Sequence, residues 1–269
     1  MHPDTAGSPA AEHTTAGSPT ADGSGAADDA GAAGPTGPSG LQVLPVTGIG
    51  EIRPGDDLAG MLAAAADLRS GDVLVVTQKV VSKAEGRLVQ VDESDPAARR
   101  RLAESEAVRV LRRRGDLVIT ETRHGFVCAN AGVDLSNMAL GWAALLPVDP
   151  DRSARRIRDG IRARCGADVG VIVSDTFGRP WRRGVTDIAI GCAGIAAVVD
   201  LRGQRDAMGR TLVATEVCVA DEITAAADLV MGKAAGVAAA VVRGLDPSLF
   251  RRSSVADEVV RPPAEDMFR

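Results

Sequence analysis

The chain has 269 residues, 45% hydrophobic and 25% charged, with 31 Lys+Arg against 36 Asp+Glu. That length supplies one large domain or two small ones with a real core. Residues 1–40 carry four Asp and one Glu but no Lys or Arg, so they hold the whole formal charge of −5; the neutral remainder excludes a protein built to coat nucleic acid or anionic lipid.

Those forty residues also lack Leu, Ile, Val, Phe, Trp and Tyr, and Ala, Gly, Pro, Ser and Thr dominate them. Such a composition cannot repay its ordering entropy and predicts a disordered tail. No apolar run approaches the roughly 18 residues of a membrane helix. The N-terminus has neither the basic patch nor the apolar stretch of a signal peptide, so a cytoplasmic address is expected. Cys128, Cys165, Cys192 and Cys218 form no CxxC pair and sit among small or apolar neighbours. They read as buried, reduced thiols. With two Trp, four Phe and no Tyr, the core must be built from Val, Leu, Ile and Ala, and stacking on bases is nearly excluded.

In chain order, Leu41 to Thr47 reads as a first strand. Pro54-Gly55 makes a turn, and Asp56 or Asp57 caps an Ala-rich helix to about Leu68. Val73 to Thr77 is a continuous apolar run of buried-strand type. Residues 96–114 read as an arginine-rich helix. Leu117 to Glu121 and Phe126 to Cys128 read as paired strands around His124-Gly125. A helix at about 153–165 precedes a buried strand from Val169 to Ser174. Val185–Ile190, Ile195–Val199 and Thr211–Val217 are further strand candidates, Ala220–Val230 is a helix, and Val237–Val242 is a last strand. Hairpin-like pairs interrupt the strand–helix alternation. The expected fold is therefore mixed α/β (α+β), with mixed sheets and packed helices, rather than a purely doubly wound sheet. After Arg243 the chain turns polar and reads as a connector.

The usual nucleotide signatures are absent. Gly232-Lys233 lacks the GxxxxGK[ST] frame of a P-loop, and Gly48-Ile-Gly50 lacks the third glycine of a dinucleotide fingerprint. Two of the three histidines lie in the tail, which leaves His124 alone for any His-based triad or zinc site. Carboxylates at strand ends carry more information. Cys128-Ala-Asn-Ala-Gly-Val-Asp134-Leu-Ser-Asn137 runs from an apolar strand through small residues to a carboxylate and an amide. Val173-Ser-Asp175-Thr176 ends a buried strand ahead of a Gly-Arg179-Pro-Trp181-Arg182 loop. Aspartates so placed suit Mg²⁺ or Mn²⁺, hard cations that prefer oxygen donors. They suit turn or helix caps equally well when each segment is taken alone. Together with a lysine-rich turn, Gln78-Lys79-Val-Val-Ser-Lys83, after a buried strand, they favour a phosphate-and-metal site.

Five longer stretches carry a resemblance: Leu44-Pro-Val-Thr-Gly-Ile-Gly-Glu-Ile-Arg-Pro-Gly-Asp-Asp57, Val75-Val-Thr-Gln-Lys-Val-Val-Ser-Lys83, Ala129 to Asn137, Ser174-Asp-Thr-Phe-Gly-Arg-Pro-Trp-Arg-Arg-Gly184, and Val219-Ala-Asp-Glu-Ile-Thr-Ala-Ala-Ala-Asp-Leu-Val-Met-Gly-Lys233. In this order they resemble the coenzyme F-420-0 gamma-glutamyl ligases, over about residues 41–245. The likeness is nearest the actinobacterial form, in which the ligase domain is fused to a nitroreductase-like flavin domain. The expected organisation is a tail at 1–40, a ligase domain at 41–245 and a connector at 246–269 resembling the start of that fusion.

The resemblance implies a GTP-dependent ligase that adds L-glutamate to the lactyl carboxylate of F-420-0 through an acyl phosphate, then extends through γ-linkages. It implies two divalent ions, Mg²⁺ or Mn²⁺, with K⁺ as a further cation, small-molecule substrates, and a homodimer. Residue by residue, it implies that Asp134 and Asp175 hold the first metal ion and that Thr176 contributes to the second. Asn137 hydrogen-bonds the nucleotide, the loop Ile49-Gly50-Glu51-Ile52 closes on it, and Lys83 meets phosphate oxygens. Family members often have proline where Gly50 stands and serine where Gln78 stands. Arg179 and Arg182 are expected, from their chemistry alone, to hold the anionic substrates, and solvated turn arginines are the plainer alternative. Trp181 reads better as a loop anchor than as a stacking surface, and the spacing around Lys233 establishes little. Rival readings are a redox protein, for which no flavin-holding segment is seen, a non-catalytic nucleotide or metal sensor, and an amide ligase acting on another acid.

Overall fold

A computed structural model describes residues 40–268; the tail expected at 1–40 lies outside them but for Gly40. The main sheet has five strands: β1 (Gln42–Val46), β2 (Val73–Thr77), β8 (Gly170–Arg179), β9 (Arg182–Ala193) and β12 (Ala239–Arg243), in the order β1-β12-β2-β8-β9. Only β2 and β8 are parallel, with Thr77 opposite Ser174; the other pairs are antiparallel. β2 and β12 are buried at consecutive positions, as is the first half of β8, so both sheet faces are covered. Full burial of side chains such as Leu74 and Ile172 stabilises the fold by about 1.5–3 kcal/mol each.

Helix α1 (Leu58–Ala65) starts where the Asp57 side chain accepts a hydrogen bond from the Gly60 N–H. Helix α4 (Pro150–Cys165) is delimited by its sequence: Asp149 caps it by accepting from Arg152 N–H, Pro150 opens it, and Gly166 closes it in the left-handed conformation. α4 packs against β8 and β9, and α5 (Val219–Met231) against β9, β12 and β1. A Cβ on Gly191 would strike the backbone of Pro150, so this close approach of β9 to α4 requires glycine. The buried Asp151 carboxylate ties the same corner together by accepting from the N–H groups of Cys192 (2.7 Å), Val255 (2.8 Å) and Ala256 (3.1 Å). Val255 begins the short α6 (Val255–Glu258) and is fully buried in the main core, although residues 246–269 read as a connector.

A smaller lobe holds a three-stranded antiparallel sheet, β4 (Ala107–Arg114), β5 (Leu117–Thr122) and β6 (Val127–Ala129), the helix α3 (Ala98–Glu106), and the pair β3 (Leu88–Gln90) and β7 (Trp142–Ala144). Its core is a separate cluster of Val91, Ala103, Val118, Val133, Ala143 and Leu145. The arginine-rich helix expected over 96–114 is thus corrected: it stops at Glu106, and Ala107 turns extended into β4. Val108 and Val110 favour a strand once β5 supplies hydrogen-bond partners, and arginine tolerates either conformation on an exposed face.

Other expectations shift similarly. The lysine-rich turn is helix α2 (Gln78–Ala84). Thr211–Val217 is strand only at β11 (Glu216–Val217), which pairs with β10 (Val199–Asp200), so Ile195–Val199 is strand only at its end. All four cysteines are free, but Cys165 is exposed. Burial pushes the thiols of Cys128, Cys192 and Cys218 up to about 12.

Candidate active site

The two parallel strands place the site. β2 ends at Thr77, opposite Ser174 of β8, at the edge of the sheet where an α/β sheet presents ligand-binding crevices. There α2 follows β2 without a loop, and its helical geometry puts Lys79 and Lys83, four residues apart, on one face. β8 does not stop at Ser174, as its apolar run suggested, but continues through Asp175 and Thr176 as a hairpin with β9. In that register Thr176 lies opposite Asp187.

A cavity of about 700 Å³ opens here, a size usual for small-molecule sites. Its walls include Ile49, Gly50, Glu51, Ile52, Gln78, Lys83, Asp134, Asn137, Asp175 and Thr176, so ten of the twelve residues picked from the sequence share one cavity, and Lys79 of the lysine-rich turn joins them. The other two, Arg179 and Arg182, face each other at the exposed tip of the β8–β9 hairpin and line no part of it. Their assignment as substrate anchors finds no support in its geometry. Trp181, between them, is 89% exposed and meets the ring of Phe268 at 6.0 Å, so it does not anchor the loop to the core. A second cavity, of about 490 Å³ between α1, α2 and α4, contains none of the twelve.

On the lobe side, Asn130 and Ala131 both adopt left-handed backbone conformations, as does Asn137. Such residues cost about 1–2 kcal/mol each and tend to gather at functional sites. Gly132, also at positive φ, sits so close to Leu146 that a Cβ would reach its side chain at 2.7 Å. Asp134 is then fixed by two backbone hydrogen bonds with Ala144 (2.8 and 3.0 Å). Its carboxylate meets Lys79 Nζ at 2.9 Å and accepts from Ser136 N–H and Oγ at 2.7 and 2.8 Å. Burial raises the Asp134 pKa, but the hydrogen bonds from Lys79 and Ser136 outweigh it and hold the group below the ordinary carboxylate value.

On the sheet side, burial pushes the Asp175 carboxyl up to about 7. The Thr176 N–H opposes that shift, while the charges of Asp134 and Asp187 add to it. Lys83 is not a surface lysine: its side chain is 13% exposed and bonds Glu51 at 2.6 Å, latching the loop 49–52 to α2. Gln78 is buried and donates to the Leu145 carbonyl at 3.2 Å.

Two participants escaped the sequence reading. Asp187 and Asp228 also line the cavity, near Lys233 on the loop after α5. The available signal for Asp187 was a lone carboxylate in the apolar strand Val185–Ile190.

Among the described residues, no three His, Cys, Asp or Glu side chains are gathered so as to hold a metal ion on their own. Nor is any helix long and apolar enough to cross a membrane. A mixed α/β fold with lysines and carboxylates lining one cavity beyond its parallel strands defines a small-molecule site in a protein without a P-loop. The family model for F420-0:Gamma-glutamyl ligase matches residues 48–244, and the chain belongs to that family. The coenzyme F420:L-glutamate ligase of Methanopyrus kandleri is 46% identical over 246 residues, covering 85% of this chain and 98% of that protein. Those of Methanothermobacter thermautotrophicus and Archaeoglobus fulgidus are each 40% identical, covering 86% and 85% of this chain and 99% and 96% of theirs. The protein is therefore an enzyme of the ligase class.

Proposed function

We propose that this cavity binds GTP with divalent cations. In this reading the enzyme, cytoplasmic and homodimeric, joins L-glutamate to the lactyl carboxylate of F420-0 and then extends the tail through γ-linkages. The observation that carries the reading is the convergence of Lys79, Lys83 and Lys233 with Asp134, Asp175 and Thr176 on one cavity. Family membership and the names of the relatives supply the substrates.

The chemistry needs activation, because amide formation from a carboxylate is uphill in water. A substrate carboxylate oxygen attacks the γ-phosphorus, the bond from that phosphorus to the β–γ bridging oxygen breaks, and GDP leaves. The glutamate amine then attacks the acyl carbon of the mixed anhydride. A C–N bond forms, the C–O bond to phosphate breaks, and phosphate and a proton are released. Phosphoryl transfer of this kind depends mainly on positioning and charge neutralisation.

Lys79 and Lys83 would meet phosphate oxygens as point charges. Asn137, Gln78 and the loop Ile49–Ile52 would hold the nucleotide, with the Lys83–Glu51 bond exchanged on entry. Asp134, Asp175 and Thr176 would hold the divalent ions. Their donors fit: carboxylate and hydroxyl oxygens suit Mg²⁺ or Mn²⁺, which bind through one or two carboxylates plus water and substrate phosphate. The ions supply charge neutralisation at the phosphates.

Purified protein incubated with F420-0, L-glutamate, GTP and Mn²⁺ or Mg²⁺ is expected to yield a product heavier by one or more glutamyl units, with GDP released, as read by mass spectrometry. GDP without that product would assign a different acid substrate. No turnover from folded, nucleotide-binding protein would make it a sensor.

A further inference from the structure

Lys233 sits in a cage of oxygens contributed by three elements. Its ammonium bonds the Asp187 carboxylate and Thr176 Oγ1 (2.5 Å), and lies 3.1 Å from Asp228 Oδ1, a buried atom without a hydrogen bond. Asp187 is 2% exposed and cannot be left uncompensated. Its Oδ1 also accepts from Thr176 Oγ1 at 2.6 Å, and its Oδ2 from Ser174 Oγ at 3.3 Å. The structure thus spends a lysine on the hydroxyl that belongs, in the proposed reading, to a divalent ion.

Two properties set this lysine apart from a permanent structural partner. Its side chain is half exposed, whereas Asp187 is not. Its loop is bounded by Gly232 and Gly236, both at positive φ with open space where a Cβ would stand, so the tether is free to re-aim. The cage itself, two carboxylates and a hydroxyl, has the donor chemistry of a hard-cation seat. An ammonium and a divalent cation cannot share it, because like charges a few ångströms apart repel strongly in a partly buried site. Phosphate oxygens in the same cavity would give the displaced ammonium a new partner.

We infer that Lys233 is a tethered counter-ion. It fills the Thr176–Asp187–Asp228 seat in the nucleotide-free enzyme and yields that seat to a divalent cation when a nucleoside triphosphate enters. Asp187 and Asp228 are then ligands of that cation, and cation and nucleotide bind cooperatively because the phosphates draw the ammonium off the seat and the cation, by taking the seat, frees the ammonium for the phosphates. The inference rests on the metal-and-nucleotide reading above.

The test is Mn²⁺ binding to the full chain, measured by EPR and calorimetry with and without GTP. In nucleotide-free protein, Lys233→Met is expected to bind Mn²⁺ about tenfold more tightly than the parent, or to take up one more ion per chain. Adding Asp187→Asn to that variant is expected to abolish the gain. Should Lys233→Met not fold, Lys233→Gln provides the same neutralisation with a polar tip. Unchanged nucleotide-free Mn²⁺ binding in the neutralised variant, with GTP-dependent binding intact in the parent, overturns the inference and leaves the proposed function standing. Absence of Mn²⁺ binding in every protein, GTP included, overturns both.

Discussion

The main sheet and the smaller lobe contribute unequally to one cavity. The sheet sets Asp175, Thr176 and Asp187 on neighbouring strands above a continuous core that includes Leu62, Leu74, Ile161 and Ile172. The lobe sets Asp134 and Asn137 on an irregular segment backed by six buried residues, of which two are alanine. One wall is therefore rigid by packing, and the other is held by local devices: left-handed residues, Gly132 against Leu146, and the bonds from Lys79 and Ser136 to Asp134. A thin core backing one wall leaves that wall the easier one to open.

The largest effect should come from the rigid side. Asp151→Ala leaves the N–H groups of Cys192, Val255 and Ala256 without their acceptor, and is expected to lower stability by about 3–5 kcal/mol in denaturant unfolding. A loss below about 1 kcal/mol would show that α6 is not fastened there. Amide exchange probes the contrast directly. Amides of β2 and β8 should exchange only through global unfolding, whereas those of β5 and β6 should exchange through a smaller opening. Val118→Ala should lower the lobe's opening free energy by about 1–2 kcal/mol while barely moving β2 and β8. Equal shifts in both regions would mean that they unfold as one unit.

The smallest effect concerns acid. Arg251 bonds Glu258 through both carboxylate oxygens (2.6 and 2.8 Å) and, against the opposing pull of burial, holds its carboxyl down at about 2. A carboxyl depressed on folding stabilises the protein above its unfolded value of 4.5, and that contribution fades as the pH falls from 4.5 toward 2. Glu258→Gln should therefore be less stable than the parent at pH 7 and converge with it near pH 2. A constant difference across that window would remove the ion pair as the cause.

The same contrast governs what the sequence disclosed. Strands β2, β8 and β12 were legible as apolar runs, and α4 and α5 were readable as helices, because burial on both faces or an apolar stripe writes itself into composition. β4 was not legible, since its exposed arginines suit helix and strand alike and only the pairing with β5 decides. At the site, Asp134, Asn137, Asp175, Thr176 and Lys83 could be named from their motifs. That they share a cavity with Ile49–Ile52 depends on the parallel register that sets the end of β2 beside Ser174 of β8. Asp187 could not be found that way, because it reaches Thr176 through the register of a hairpin containing a bulge. Asp228 and Lys233 join it only because α5 ends beside that strand pair.

The mixed α/β class, the family and ten of the residues lining the cavity were already written in the chain, because local propensity, burial pattern and long motifs are properties of consecutive residues. It took the folded chain to place Arg179 and Arg182 at an exposed hairpin tip outside the cavity lining, and a lysine in an oxygen cage built by three elements. Distances between side chains far apart in sequence are fixed by strand register and helix packing, which no local pattern encodes.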